Sequence, residues 1–216
     1  MIKVFINSLF RRVTHRYRLA RLRKRTLSLA SDLVASGTIV CLDIGAGNTL
    51  RDDRWITLDN NGVCDMWWDL ADGIPFADNT VSQIYSSHVF EHMSPSSLLM
   101  LLRDCYRSLA PGGSISVCVP NARLFLDAYS KGRYFLNDED ERCWKRGWFN
   151  TGSLIDQINY IAYMGSEHCL MFDDSNLPSF LRLAGFHDVS LREFQDGLDL
   201  HERDYESIYA IGFKPA

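Results

Sequence analysis

The sequence predicts an α/β fold, a mostly parallel sheet with helices on both faces, from three observations. Short apolar runs without polar alternation recur along the chain, as strands buried on both faces require. Helix-like segments alternate with these runs, which is the pattern of crossover connections. The run Ile39–Leu42 ends in Asp43 and then a glycine turn, Gly45-Ala46-Gly47, where the backbone can bend sharply and approach a ligand closely. At 216 residues with 46% hydrophobic content, the chain can bury one substantial core and is short for two domains.

The elements follow in order. Ile2, Ile6, Leu9, Val13 and Tyr17 recur at helical spacing among arginines, the pattern of a basic amphipathic helix, and residues 1–36 are expected to form an N-terminal extension of the main domain, 37–216. The first strand is Ile39–Asp43 and the second Trp55–Asp59. The connection between them is so short that its crossover helix can have one or two turns at most. A brief strand is expected near Cys64–Trp67, and another at Val81–Ser86 after the turn-forming Asp78 and Asn79. Ser94 is a natural N-cap with Pro95 at the first helical position. Leu98, Leu102, Cys105 and Leu109 form the apolar stripe of that helix, and Pro111-Gly112-Gly113 stops it. Ser114–Val119 is the fifth strand. Residues 121–169, aromatic and charged without strand periodicity, read as an inserted helical cap. Leu177–Ala184 is a helix closed by Gly185, and Val189–Phe194 and Ile208–Phe213 are the last strands.

Charge is unevenly distributed. Met1–Arg25 holds nine of the 23 basic residues and no acid, although the whole chain has a net charge of -4. This segment either packs its apolar face on the core with its arginines solvated, or docks on an anionic membrane surface or a protein partner. Nucleic acid is not expected as a partner, because the acidic body repels a phosphate backbone. The six cysteines lack any CxxC pair and read as buried thiols of a reducing compartment. No apolar run approaches the length of a membrane span, and the positive charges of MIKVFINSLFRR follow its apolar stretch, the reverse of a secretory signal. The expected location is cytoplasmic, with room for peripheral attachment at the inner face of the membrane.

Two blocks carry a family resemblance. DLADGIPFADNTVSQIYSSHVFEHM, Asp69–Met93, resembles the acidic residue, Pro-Phe, turn, strand and His-containing helix start of small class I S-adenosylmethionine-dependent methyltransferases. LLRDCYRSLAPGGSISVCVPN, Leu101–Asn121, is similar to the helix, Pro-Gly-Gly turn and fifth strand of the same families. Ser87-His88 with Glu91-His92 resembles a group associated with surface-polysaccharide biosynthesis. The resemblance implies a Rossmann-like, seven-stranded sheet with an antiparallel last strand. A third glycine common in the turn motif is replaced by Thr49, and an aspartate common early in the fourth strand by Ser82. A dinucleotide site needs G-x-G-x-x-G opening a full helix, whereas Gly45 and Gly47 run on to Leu50 and the next strand at Trp55.

The implied cofactor is S-adenosylmethionine, with S-adenosylhomocysteine as product, and its parts assign roles. Gly45, Ala46, Gly47 and Asn48 would approach the amino-acid moiety and Asp43 would accept from its ammonium. Asp59 would grip the ribose diol, beside Asn60. By resemblance, Asp69 and the backbone of Leu70 would meet the adenine, and Ser87 and His88 would flank the methyl. In-line methyl displacement needs a base only for a hydroxyl acceptor, and His88 and His168 are the candidates. The grouping of His88, Glu91 and His92 has no metal-specific spacing, and no metal is expected. Tyr129, Trp148, Asn159, Tyr163, His168 and His92 are the expected substrate contacts, since flat faces with polar edges suit a sugar or aromatic acceptor. The expected reaction is O-methylation of a sugar or polysaccharide precursor. Other readings are methylation of another small molecule, or a cofactor-binding assembly module without turnover. Oligomeric state is not assigned.

Overall fold

The computed structural model describes residues 2–49, 52–136 and 150–216, with side chains from Arg16 onward. Seven strands form one sheet in the order β3-β2-β1-β4-β5-β7-β6: β1 (Val40–Ile44), β2 (Trp55–Asp59), β3 (Met66–Trp67), β4 (Val81–Ser87), β5 (Leu109–Pro120), β6 (His187–Arg192) and β7 (Ser207–Phe213). β1 to β5 are parallel to one another, and β7 runs antiparallel to both β5 and β6. The order turns outward in both directions from β1 and β4. Ligands of open α/β sheets bind at such a switch point, beyond the carboxyl ends of the strands.

Helices cover the sheet: α1 (Ile2–Ala35), α2 (Pro95–Ser108), α3 (Ala122–Ser130), α4 (Ile155–Tyr163), α5 (Asn176–Ala184) and the single turn α6 (His201–Asp204). The core joins Val40, Leu42 and Ile44 of β1 to Ile84 of β4, Leu98, Leu102 and Cys105 of α2, and Leu181 of α5. Full burial of each such side chain contributes roughly 1.5–3 kcal/mol. The Ser94 hydroxyl caps α2 by accepting from the Ser97 N–H at 3.2 Å, with Pro95 in the first turn. Gly185 ends α5 at φ 109°, a conformation that favours glycine.

Several expectations are corrected. Ile39 lies outside β1 and is 75% exposed, so the buried strand starts one residue later. Between β1 and β2 the described residues form turns and no helix, a tighter connection than one or two helical turns. Leu109 belongs to β5 instead of α2, because the chain turns into the sheet at Ser108. The Pro-Gly-Gly segment is absorbed by a register shift against β4, in which Leu109 pairs with Val81 and Ser114 with Gln83. β6 lies at His187–Arg192, ahead of the expected Val189–Phe194. Only Cys105 and Cys118 are buried; Cys41 and Cys64 are half-buried, Cys169 is exposed, and Cys143 lies outside the described residues.

The second half of α1 is anchored to the domain. Ala30 enters the core with Leu29, Leu33 and Val34 against it, while the Thr26 hydroxyl donates to the Trp67 carbonyl at 2.8 Å. Arg23 pairs with Asp72 at 2.8 Å and lies over the Trp68 ring, 4.9 Å from its centroid. Tyr17, expected on the packing face, is 81% exposed. The α1 face turned to the domain therefore follows Thr26, Leu29, Ala30 and Leu33. No helix among the described residues is long and apolar enough to cross a membrane.

α3, α4 and the segment that follows α3 pack around their own small cluster of Ala122, Phe125 and Ile161, with Phe135 and Tyr160 against Phe125. Buried Gln157 ties the segment together, accepting from the Phe135 N–H and donating to the Arg133 carbonyl.

One acidic group links α2 to the loop before β4. Asp104 accepts from the Ile74 N–H at 2.5 Å and from the Arg107 guanidinium at 2.6 Å, and Arg107 also donates to Asp78 at 2.7 Å. Burial by itself would raise the Asp104 carboxyl, but the hydrogen bonds from Arg107 and Ile74 outweigh it and hold the group below its ordinary value of 3.8. A depressed folded pKa contributes stability that is present above the unfolded value and lost as pH falls through the folded one. Thermal melts are expected to show the wild-type midpoint falling below about pH 4, and Asp104→Asn lowering the midpoint at pH 7 while flattening that acid limb. An unchanged acid limb would remove Asp104 as its source.

Candidate active site

Two connected clefts open at the carboxyl edge of β1, β2 and β4. The larger, about 550 Å³, is lined by Gly45, Asp59, Asn60, Trp68, Asp69, Leu70, His88 and His92, among others. The smaller, about 180 Å³, is lined by Asp43, Gly45, Ala46, Gly47, Asn48, Ser87, His88 and Arg203. Gly45 and His88 border both, so the two form one elongated site.

The glycine turn is built for close approach. Gly45 has φ 70° and Gly47 φ 60°, and a Cβ at Gly45 would overlap the side chain of Val89. Asp59, at the end of β2, accepts from the Gly47 N–H at 2.9 Å and from the Asn61 N–H at 3.1 Å, which fixes the turn against the next strand. Each of its oxygens keeps a further lone pair for a ligand hydroxyl. Asp69 caps the turn Leu70–Asp72 by accepting from the Ala71 N–H at 3.0 Å. Buried Asp43 lines the smaller cleft.

His88 follows β4 with φ 54°, a left-handed conformation rare for non-glycine residues and of the kind held in place at functional sites. Its Nε2 lies 2.9 Å from the Ser207 hydroxyl. That hydroxyl donates to the Arg203 carbonyl at 2.6 Å, so it accepts from His88, which leaves the Nδ1 lone pair free. Burial, followed by the nearby charge of Arg203, pushes the imidazole down to about 3, so it is neutral at physiological pH and a weak proton acceptor. His92 and His168 meet edge to face, ring centroids 5.1 Å apart, and His168 is buried, which lowers its pKa.

The structure thus brings together Asp43, Gly45, Ala46, Gly47, Asn48, Asp59, Asn60, Asp69, Leu70, Ser87, His88 and His92 along the clefts, with His168 against His92. It does not bring in Tyr129, Asn159 or Tyr163: all are exposed on α3 and α4 and line neither cleft, because the apolar faces of these helices are spent on each other. Trp148 lies outside the described residues. Arg203 and Trp68 were not legible as site residues in the sequence. Arg203 reaches the smaller cleft from α6, 116 residues from Ser87, donating to the Ser87 carbonyl and hydroxyl at 3.2 and 3.3 Å. No motif marks it.

Sheet order, glycine turn and acid-flanked cleft define a Rossmann-like class I methyltransferase architecture. A family model described as a methyltransferase domain matches residues 13–191. The structure is similar to that of a SAM-dependent methyltransferase from Archaeoglobus fulgidus, at 16% identity over 89% of this chain and 94% of that one, with a TM-score of 0.50. It is also similar to phosphoethanolamine N-methyltransferase 2 of Haemonchus contortus, solved with S-adenosyl-L-methionine, at 12% identity, 82% of this chain and 49% of that one, with a TM-score of 0.51. No match was found among curated protein sequences. The chain belongs to the methyltransferase-domain family. The residues present would fit S-adenosylmethionine: a glycine turn in which Gly45 leaves no room for a Cβ, two carboxylates in the larger cleft, and one acid and one arginine in the smaller one.

Proposed function

We propose that this chain methylates a hydroxyl of a sugar or polysaccharide precursor. The observation that supports this reading most is the single cleft that joins an acid-flanked nucleotide site, Asp59 and Asp69, to an imidazole-lined end, His88 and His92. When bound, S-adenosylmethionine supplies an activated methyl, so the protein's task is alignment, worth up to about 7–11 kcal/mol in well-oriented systems. Asp59 accepts from the ribose hydroxyls while holding the Gly47 turn; Asp69 and the Leu70 backbone meet the adenine. Asp43 accepts from the ammonium, and Arg203 donates to the carboxylate that would otherwise face the carboxylate of Asp43. His88 walls the methyl end, its Nε2–H committed to Ser207. Burial lowers both candidate bases, His88 and His168, and leaves each a weaker proton acceptor than a free imidazole. The resemblance of Ser87-His88 and Glu91-His92 to the polysaccharide group supports a glycan acceptor. Arg16, Arg18, Arg21, Lys24 and Arg25 are exposed on α1, which supports docking of this helix on an anionic membrane face.

Calorimetry on Arg203→Gln tests the cofactor assignment. Affinity for S-adenosylhomocysteine is expected to fall by at least tenfold, while methylthioadenosine, which lacks the amino-acid end, binds unchanged. Equal loss for both would remove Arg203 from that role. Turnover with nucleotide sugars and with amine acceptors tests the reaction, and methyl transfer to nitrogen alone would overturn the hydroxyl reading.

A further inference from the structure

Glu91 is the anomaly of the site. Its side chain is 2% exposed, and Oε2 has no hydrogen-bond partner although it is fully buried. Oε1 lies 3.7 Å from His92 Nε2 and 3.8 Å from His88 Nδ1, too far to hydrogen-bond either. An isolated buried carboxylate is costly unless a cation or a donor compensates it.

The two histidines beside it are oriented in a specific way. His92 Nδ1 lies 3.1 Å from the Glu167 carbonyl, and His168 Nδ1 lies 2.8 Å from the Ile161 carbonyl. A carbonyl can only accept, so both Nδ1 atoms carry the proton and both Nε2 atoms present lone pairs. One ligand atom from each of Glu91, His92 and His168 falls within 4.8 Å of the others. Three residues able to ligate a metal therefore converge, and each imidazole is fixed at Nδ1 by a backbone carbonyl. Metal-ligating histidines are held in this way. The backbone also fixes the triad: the Glu91 carbonyl accepts from the Cys169 and Leu170 N–H groups at 2.7 and 3.1 Å, tying the His168 segment to the turn that carries Glu91 and His92.

We propose that Glu91, His92 and His168 hold a divalent first-row cation, with coordination positions left open toward the cleft. Two imidazoles and one carboxylate suit zinc or manganese, and three protein ligands leave room for a water or a substrate oxygen. In a tetrahedral site with bonds of about 2.0–2.1 Å, ligand atoms stand about 3.3 Å apart, so the triad closes by side-chain movements of about an ångström. His92 lines the cleft, which places an acceptor oxygen within reach of the ion. A bound hydroxyl would lose its proton more readily, to water in the open cleft, so the cation would lessen the need for a side-chain base. This catalytic role rests on the hydroxyl reading of the reaction; the binding of the ion does not.

Calorimetric titration of the chelator-stripped full chain with Zn²⁺ and with Mn²⁺, without cofactor or acceptor, tests the proposal. At least one ion is expected to bind at one site per chain, and Glu91→Gln and His168→Gln are each expected to weaken it more than tenfold. His201→Gln, at an exposed histidine remote from the triad, should bind as wild type does. S-adenosylhomocysteine affinity, measured in parallel, should persist in the His168→Gln variant and reports that it is folded. Equal metal affinity in wild type and His168→Gln, or no binding by wild type, would overturn the site. Loss of S-adenosylhomocysteine binding by wild type would instead count against the cofactor reading and leave the metal result standing.

Discussion

Asp59→Ala is expected to weaken binding of both S-adenosylhomocysteine and methylthioadenosine by about 10- to 150-fold. That range corresponds to about 1.5–3 kcal/mol, the contribution of hydrogen bonds to a charged group. The effect has two sources. The carboxylate is the expected partner of the ribose diol, and it also accepts from the Gly47 and Asn61 N–H groups that shape the turn beside it. Asp59→Asn separates them: an amide oxygen can still accept from one N–H but cannot match a carboxylate toward two hydroxyls, so an intermediate loss is expected. Calorimetry with the two nucleosides reads both variants. Unchanged affinity in Asp59→Ala would remove this cleft as the cofactor site.

The second large effect is on stability. Asp199 is fully buried and accepts from the Arg192 guanidinium at 2.6 and 2.8 Å, from the Tyr85 hydroxyl at 2.9 Å and from the Gln195 N–H at 2.8 Å. Arg192 in turn donates to the Ser116 hydroxyl and stacks over Tyr209, binding the edge strand β6 to β5 and β7. Removing one partner of a buried ion pair strands the other charge, at a cost of about 3–5 kcal/mol. Asp199→Ala is therefore expected to lower the thermal midpoint by roughly 6–20 °C for a chain of this size. Arg192→Met in the same chain removes the stranded charge and should recover part of the loss. A double variant less stable than Asp199→Ala would show that the packing of Arg192 outweighs its charge.

Much of the fold is legible in local chemistry. Ser94-Pro95 starts α2 and Gly185 ends α5 where the sequence predicts them, because caps depend on a few neighbouring residues and their backbone geometry. Boundaries that depend on the sheet were less legible. Leu109 fits the helical stripe of α2 by spacing, yet it enters β5 because pairing with Val81 offers its backbone a strand partner. The cap aromatics share this limit. Tyr129 and Tyr163 have the chemistry of sugar contacts, but α3 and α4 pack against each other and leave both tyrosines at the surface.

The sequence by itself determined which residues line the proposed cofactor half of the site. In a parallel sheet the strands end on the same edge, so residues just past β1, β2 and β4 meet there whatever the rest of the chain does. Asp43, Gly45, Gly47, Asp59 and His88 could thus be placed from strand order alone. The tertiary structure decided the rest: Arg203 beside Asp43, and His168 beside Glu91 and His92. These groups come from segments far apart in the chain, and the spacing of residues along a sequence carries no measure of such meetings. Only the docking of the cap and of α6 brings their donors and lone pairs to a common point, where burial raises the cost of leaving Glu91 alone.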